Sequence, residues 1–156
     1  MSVTTPTGFA AAGVAAGIKS GDRLDLAVVS NLGPRFAAAG VFTRNRVFAA
    51  PVDWSRRALA DGRLRAVVLN SGGANACTGR SGFEDARLMA EKTAAGLGVA
   101  AGDVAVCSTG LIGVRLPVPE VVSGIEQACS QLSRDGGDDA ATAIMTTDTV
   151  SKQAVH

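Results

Sequence analysis

Leu24-Asp25-Leu26-Ala27-Val28-Val29-Ser30 alternates apolar and polar positions at first and then runs apolar, which predicts a strand. Asn31-Leu32-Gly33-Pro34 follows as a turn signal, and the small-residue run Ala37–Thr43 predicts a second strand, so a hairpin is expected. Asp53 is placed to cap a short helix over Trp54–Ala60, with Gly62 ending it. Leu64–Leu69 reads as a buried strand that leads into a polar, glycine-rich loop from Asn70 to Ala76. Ser81 and Glu84 have the spacing of a capping box, and Phe83, Ala86, Ala90, Ala94 and Leu97 then recur at helical steps until Gly98. Asp103–Cys107 predicts another strand, running into Ser108-Thr109-Gly110. Pro119 opens a helix whose apolar face is Val122, Ile125, Cys129 and Leu132, with Gly136-Gly137 ending it. Asp138 or Asp139 caps a last short helix to Met145, and Thr146-Thr147-Asp148-Thr149 starts an extended segment.

Strands and helices alternate, so the class is α/β, mixed with α+β. No repeat, linker or boundary divides the 156 residues, which are expected to form a single domain, with the first twenty the least committed to an element. The hydrophobic fraction of 47% against 19% charged residues confirms a globular chain. A formal net charge of +1, with both signs mixed along the length, excludes the basic stripe of a nucleic-acid surface. Met1–Ala16 is too short and broken to span a bilayer and lacks a basic leader, which points to a soluble, cytoplasmic protein without a membrane partner. Lys152–His156 reads as a strand in progress, the pattern expected of a truncated domain.

Cys77, Cys107 and Cys129 have no paired spacing, so neither a disulfide framework nor a metal site is expected. His156 is the only histidine and the last residue, which removes any histidine-based triad. Cys107 has no base to activate it and reads as a small buried residue. Two strand-to-loop junctions remain. Asn70–Asn75 could cradle an anion but fits neither the P-loop nor the dinucleotide pattern, and an Asn/Gly turn explains it as well. In Ser108-Thr109-Gly110, a threonine hydroxyl and the N–H of a glycine are two donors that can converge on a developing oxyanion. On spacing alone a simple Ser-Thr-Gly turn stands ahead of that reading. Thr146–Thr149 is dense in hydroxyls, and Asp148 could orient one or bind an amine; a strand edge would look the same.

The segments say more together. Gly8-Phe9, Gly13-Val14 and Gly17-Ile18-Lys19 are followed by Ala39-Gly40-Val41-Phe42-Thr43-Arg44-Asn45 with Ala49-Ala50-Pro51-Val52 behind it. Asn70-Ser71-Gly72-Gly73-Ala74-Asn75-Ala76-Cys77-Thr78-Gly79, Cys107-Ser108-Thr109-Gly110-Leu111-Ile112-Gly113 and Ala143-Ile144-Met145-Thr146-Thr147-Asp148-Thr149 come next in order. In this order and spacing the chain resembles the N-terminal part of the glutamate N-acetyltransferase family, also called ornithine acetyltransferase, over nearly its whole length.

The resemblance implies a layered-sheet fold of the N-terminal-nucleophile acetyltransferase type, made as a precursor that cleaves itself at an Ala-Thr bond. The freed threonine of the β chain is then the nucleophile that carries acetyl from N-acetylornithine to glutamate, in the cyclic route of arginine biosynthesis. It implies no bound cofactor, with acetyl-CoA as a co-substrate in some members. Thr109 and Gly110 correspond to the family's oxyanion pair, and Thr146 to its substrate-contacting threonine. Family α chains continue through a Lys-Gly-x-Gly-Met segment that does not occur here, so Lys152 is not that lysine. The chain is thus expected to be an incomplete α chain, inactive alone, working with its β chain in an α2β2 assembly and exposing sheet edge and apolar surface without it. An N-terminal threonine uses its own amine as base, which agrees with the lack of histidine. Two other readings stay open: an N-terminal-nucleophile aminopeptidase or amidase, and a small-molecule-binding or assembly module.

Overall fold

β2 (Leu26–Asn31) has both of its edges occupied, and this decides the sheet. β1 (Phe9–Val14) pairs antiparallel on one side, from Phe9 opposite Asn31 to Val14 opposite Leu26. β3 (Ala66–Gly73) pairs antiparallel on the other, with Val28 opposite Val68. β4 (Val104–Leu111) lies parallel to β3, which completes a four-stranded sheet in the order β1-β2-β3-β4. The computed structural model describes residues 2–155, so His156 falls outside it.

Side-chain alternation along each strand separates two faces. Val14, Leu26, Val28, Val68, Val104 and Val106 point to one face. There they meet Ala86, Met89 and Ala90 of α2 (Gly79–Leu97) and Val121, Ile125 and Ala128 of α3 (Val118–Ser130). Ala11 and Ala27 point to the other face, against Ala140 and Ala143 of α4 (Gly137–Ala143). α4 approaches β1 at the backbone: a Cβ on Gly13 would collide with the main chain of Asp139 and lie 2.8 Å from the nitrogen of Ala140. The class read from the sequence, mixed α/β, is the one observed, with the described strands in one sheet.

α1 (Ala50–Ala58) covers the outer edge of β4. The Ser55 hydroxyl donates to the carbonyl of Val106 at 2.8 Å and accepts its N–H at 2.9 Å, and the Trp54 indole N–H donates to the carbonyl of Val104 at 2.9 Å. These side chains satisfy backbone groups that an edge strand leaves unpaired. Ser55→Ala is therefore expected to cost about 1–3 kcal/mol of stability, since it orphans a buried donor and acceptor. An unchanged denaturation midpoint would remove this role. Beyond Val106 the same edge is open, and Leu111, Ile112 and Val114 are exposed at 66%, 68% and 56%.

Several expected boundaries move. No strand forms over Ala37–Thr43; only an isolated bridge joins Ala37 to Arg63. The hairpin partner of β2 is β1, because the other edge of β2 belongs to β3. α1 starts at Ala50 with Pro51 in its first turn, so Asp53 is not a cap and instead pairs with Arg57 at 2.7 Å. Ser81 makes no capping bond; the start of α2 is tied down by Asn75, whose amide donates to the Gly82 carbonyl and whose oxygen accepts from Thr78. The buried face of α3 is Val121, Gly124, Ile125 and Ala128, while Val122 and Cys129 are half-buried and Leu132 lies past the helix end. Gly124 sets this rotation by letting the helix lie directly on Ala16. Ser151–Val155 has no strand. No described helix is long and apolar enough to cross a membrane.

Candidate active site

The two segments read as loops are strand ends. Asn70–Gly73 continues β3 and Cys107–Leu111 continues β4, in register with Ser71 opposite Thr109 and Gly72 opposite Gly110. Backbone N–H groups that would cradle an anion there are already taken, with Ser71 N–H donating to the Asp25 carbonyl and Ala74 N–H to the Leu111 carbonyl, each at 2.8 Å, and the Asn70 side-chain amide donates to the Gly73 carbonyl at 2.9 Å. Gly72 and Gly110 both have positive φ, +103° and +133°. A Cβ on Gly110 would stand 2.6 Å from Gly72 oxygen and Gly73 nitrogen, so the two backbones approach here as only glycines allow. This pinch takes the end of β4 out of regular pleat.

Thr109 shares its face with Ser71, the α4 side of the sheet. The Ser71 hydroxyl donates to the carbonyl of Ala143 at 2.5 Å, which fixes the C-terminal end of α4 over the strand ends. Thr146, three residues on, thereby reaches the same place. Thr109, Gly110 and Thr146 line one cleft of about 420 Å3 together with Lys19, Arg23, Gly72, Leu111 and Thr147. The structure thus brings together all three site residues expected from the sequence. The cleft lining has two cations, Lys19 and Arg23, and no carboxylate. That charge balance favours a negative charge developing at its centre.

The support behind Lys19 was not legible as a site. Asp25 is fully buried, and its carboxylate accepts the N–H groups of Ala16 at 2.7 Å, Ile18 at 2.7 Å and Lys19 at 2.8 Å. Three charge-assisted bonds to one side chain fold the 16–19 segment into a tight turn. The Lys19 ammonium reaches the carbonyls of Met145 at 2.7 Å and Leu24 at 3.2 Å. Burial lowers its pKa below the usual 10.5, the Asp25 carboxylate opposes this, and Arg23 adds to it. The one sequence signal was an acidic residue, Asp25, at the start of a strand otherwise made of core residues.

Other candidates lie elsewhere. The side chain of Asp148 is ion-paired with Lys152 and accepts a long bond of 3.5 Å from the Thr146 N–H, and the Lys152 contact holds its pKa down. Lys152 lines a separate apolar groove with Val29, Leu69 and Ile144. Cys107, expected from the sequence to be buried, is exposed on β4, because the edge of that strand is uncovered beyond Val106. Desolvation by the groups around its thiol still raises the thiol pKa, the opposite of what a nucleophile needs. Among the described residues no group of three His, Cys, Asp or Glu is arranged to hold a metal.

The ArgJ family model matches residues 10–156. The chain belongs to the ArgJ family. An arginine biosynthesis bifunctional protein ArgJ from Thermobifida fusca is 64% identical over 154 residues, covering 99% of this chain and 40% of the relative. The ArgJ protein of Streptomyces coelicolor is 61% identical over 155 residues, with the same coverage. This chain therefore spans 40% of the length of the curated ArgJ relatives it matches. The crystal structure of ornithine acetyltransferase from Mycobacterium tuberculosis, complexed with ornithine, superposes with a TM-score of 0.94 at 58% identity, over 96% of this chain and 81% of that one. The ArgJ structure from Bacillus halodurans gives 0.88 at 39% identity, over 96% and 78%. The family resemblance read from the sequence blocks is borne out, and the pinched strand end belongs to an ArgJ fold.

Proposed function

We propose that this chain is the oxyanion-holding part of an acetyltransferase that moves acetyl from N-acetylornithine to glutamate in arginine biosynthesis, in the cytoplasm. The observation that carries the reading is the convergence of Thr109, Gly110 and Thr146 on one cationic cleft in a chain of the ArgJ family. The relatives are much longer than this chain, and we place the nucleophile, a threonine at the start of a β chain, in that remainder. Its own α-amine takes the hydroxyl proton as the oxygen attacks the acetyl carbonyl. The Thr109 hydroxyl and the Gly110 N–H donate to the resulting oxyanion, and Thr146 contacts the substrate. Ornithine leaves with the proton, and the amine of glutamate attacks the acetyl-enzyme to give N-acetylglutamate and free threonine. The same donors would serve self-cleavage of the precursor, which also passes through a tetrahedral oxyanion. An α2β2 assembly and acetyl-CoA as an alternative donor belong to this proposal, and no resident cofactor is required by it.

The test is to express the whole precursor and measure ornithine release from N-acetylornithine with and without glutamate. Release that requires glutamate and yields an equal amount of N-acetylglutamate is the expected result. Rapid release without any acceptor would make the enzyme an amidase and overturn the transferase reading.

A further inference from the structure

We propose that Lys19 is a positioning residue of this site, holding the Met145–Thr146 segment against the end of β4 through the bond from its ammonium to the Met145 carbonyl. The inference rests on the acetyl-transfer reading for its consequence, while the tether itself rests on geometry. α4 ends at Ala143, and its last carbonyls have no partner within the helix. The last turn of α4 contains no basic residue of its own. Just past that end a cation comes from across the chain, as Lys19 Nζ lies 2.7 Å from the oxygen of Met145, two residues beyond the helix. Ser71 holds Ala143 in the same way, so two side chains from the sheet side grip the end of the helix just before Thr146. After that point residues 146–150 carry no helix or strand, and the Thr146 N–H has only its 3.5 Å contact with Asp148. Together with the Met145 N–H, which donates to the Thr142 carbonyl at 3.2 Å, Lys19 is thus the firm anchor next to Thr146.

The anchor is itself rigid. Its main chain is held by the Asp25 carboxylate, which accepts the Ile18 and Lys19 N–H groups. The Ile18 and Lys19 side chains rest on Gly72, where an added Cβ would lie 2.9 Å from Ile18 Cγ2 and 3.2 Å from Lys19 Cγ. Gly72 is the register partner of Gly110. One continuous stack therefore links the oxyanion strand end, the 16–19 turn and the Thr146 segment. An ammonium has three donors, and two are used on carbonyls, which leaves one donor and the charge at the cleft that Lys19 lines. Burial works against this charge, and the Asp25 carboxylate and the two carbonyls that accept from the ammonium offset that cost.

The experiment compares Lys19→Met, Lys19→Arg, Thr146→Ala and the Lys19→Met/Thr146→Ala double variant in the processed enzyme. Lys19→Met is expected to raise KM for N-acetylornithine about tenfold with kcat changed less than about threefold, the signature of lost uniform binding. Lys19→Arg keeps charge and donors and should restore KM to within about threefold. If Lys19 acts through Thr146, the double variant is no worse than Thr146→Ala by more than about twofold, whereas independent effects would multiply. Hydrogen exchange supplies a readout that needs no turnover: the amides of Ile144 and Met145, which donate to the Ala140 and Thr142 carbonyls, should exchange about tenfold faster in Lys19→Met, with β1–β4 unchanged. Multiplying penalties, an unchanged KM or an exchange increase spread over the whole sheet would each overturn the assignment. Should Lys19→Met not fold, Lys19→Gln takes its place in the cycle. A wild-type enzyme without acetyl transfer refutes the proposed activity alone, and the exchange comparison still decides the tether.

Discussion

Thr109→Ala in the full precursor is expected to lower kcat for acetyl transfer by about 10²–10³-fold, equivalent to roughly 3–4 kcal/mol of transition-state stabilisation. The residue is exposed at the end of β4, so the substitution removes a hydroxyl from the cleft without opening the core. Surface changes of this kind leave stability within about 0.5 kcal/mol. KM should move little, because the oxyanion exists only in the transition state. Thr109→Ser keeps the donor and should retain most of the activity. The same Ala variant should slow conversion of the precursor into its two chains, which gel electrophoresis follows directly. Turnover and processing both within threefold of wild type would show that the Thr109 hydroxyl holds no oxyanion.

Gly110→Ala is expected to combine loss of activity with loss of fold. An added methyl group would meet the backbone of Gly72 and Gly73, which cannot rotate away as a side chain could. The positive φ of +133° adds a conformational penalty of its own for any L side chain. Together these should cost about 3 kcal/mol or more, from overpacking and backbone strain. Gly98→Ala is the matched control: φ is +65° at the C-terminal cap of α2, and nothing lies within 4 Å of an added Cβ. That change should cost only about 1 kcal/mol. Comparable melting temperatures for the two variants would mean that the pinch between β3 and β4 is not what Gly110 provides.

Much of the local structure could be read without coordinates. The helical recurrence of Ala86, Ala90 and Ala94 marks the buried face of α2 correctly, and Gly98 is its left-handed cap. Pro119 stands in the first turn of α3. The errors share a cause. Ala37–Thr43 has the composition of a short strand, but β2 offers it no edge once β1 and β3 are in place. Asn70–Gly73 and Ser108–Gly110 look like loops because polar and glycine residues favour turns, yet parallel pairing from Ala66 opposite Val104 to Gly73 opposite Leu111 carries both on as strand. Ladder hydrogen bonds with a neighbour override local preference, and the neighbour is far along the chain.

The same division runs through the site. The sequence by itself determined the family and the alternation of helices and strands, and it pointed to Thr109, Gly110 and Thr146 as candidate site residues through the order and spacing of the blocks that hold them. Only the tertiary structure decided that these residues share a cleft, that Thr109 and Gly110 lie on a pinched strand end rather than a loop, and that Lys19, its main chain held by the buried Asp25, lines the same cleft. The physical reason is the nature of the partners. Asp25 and Lys19 bond to backbone N–H and carbonyl groups, which every residue carries and no motif records, and Lys19 finds its carbonyl 126 positions away.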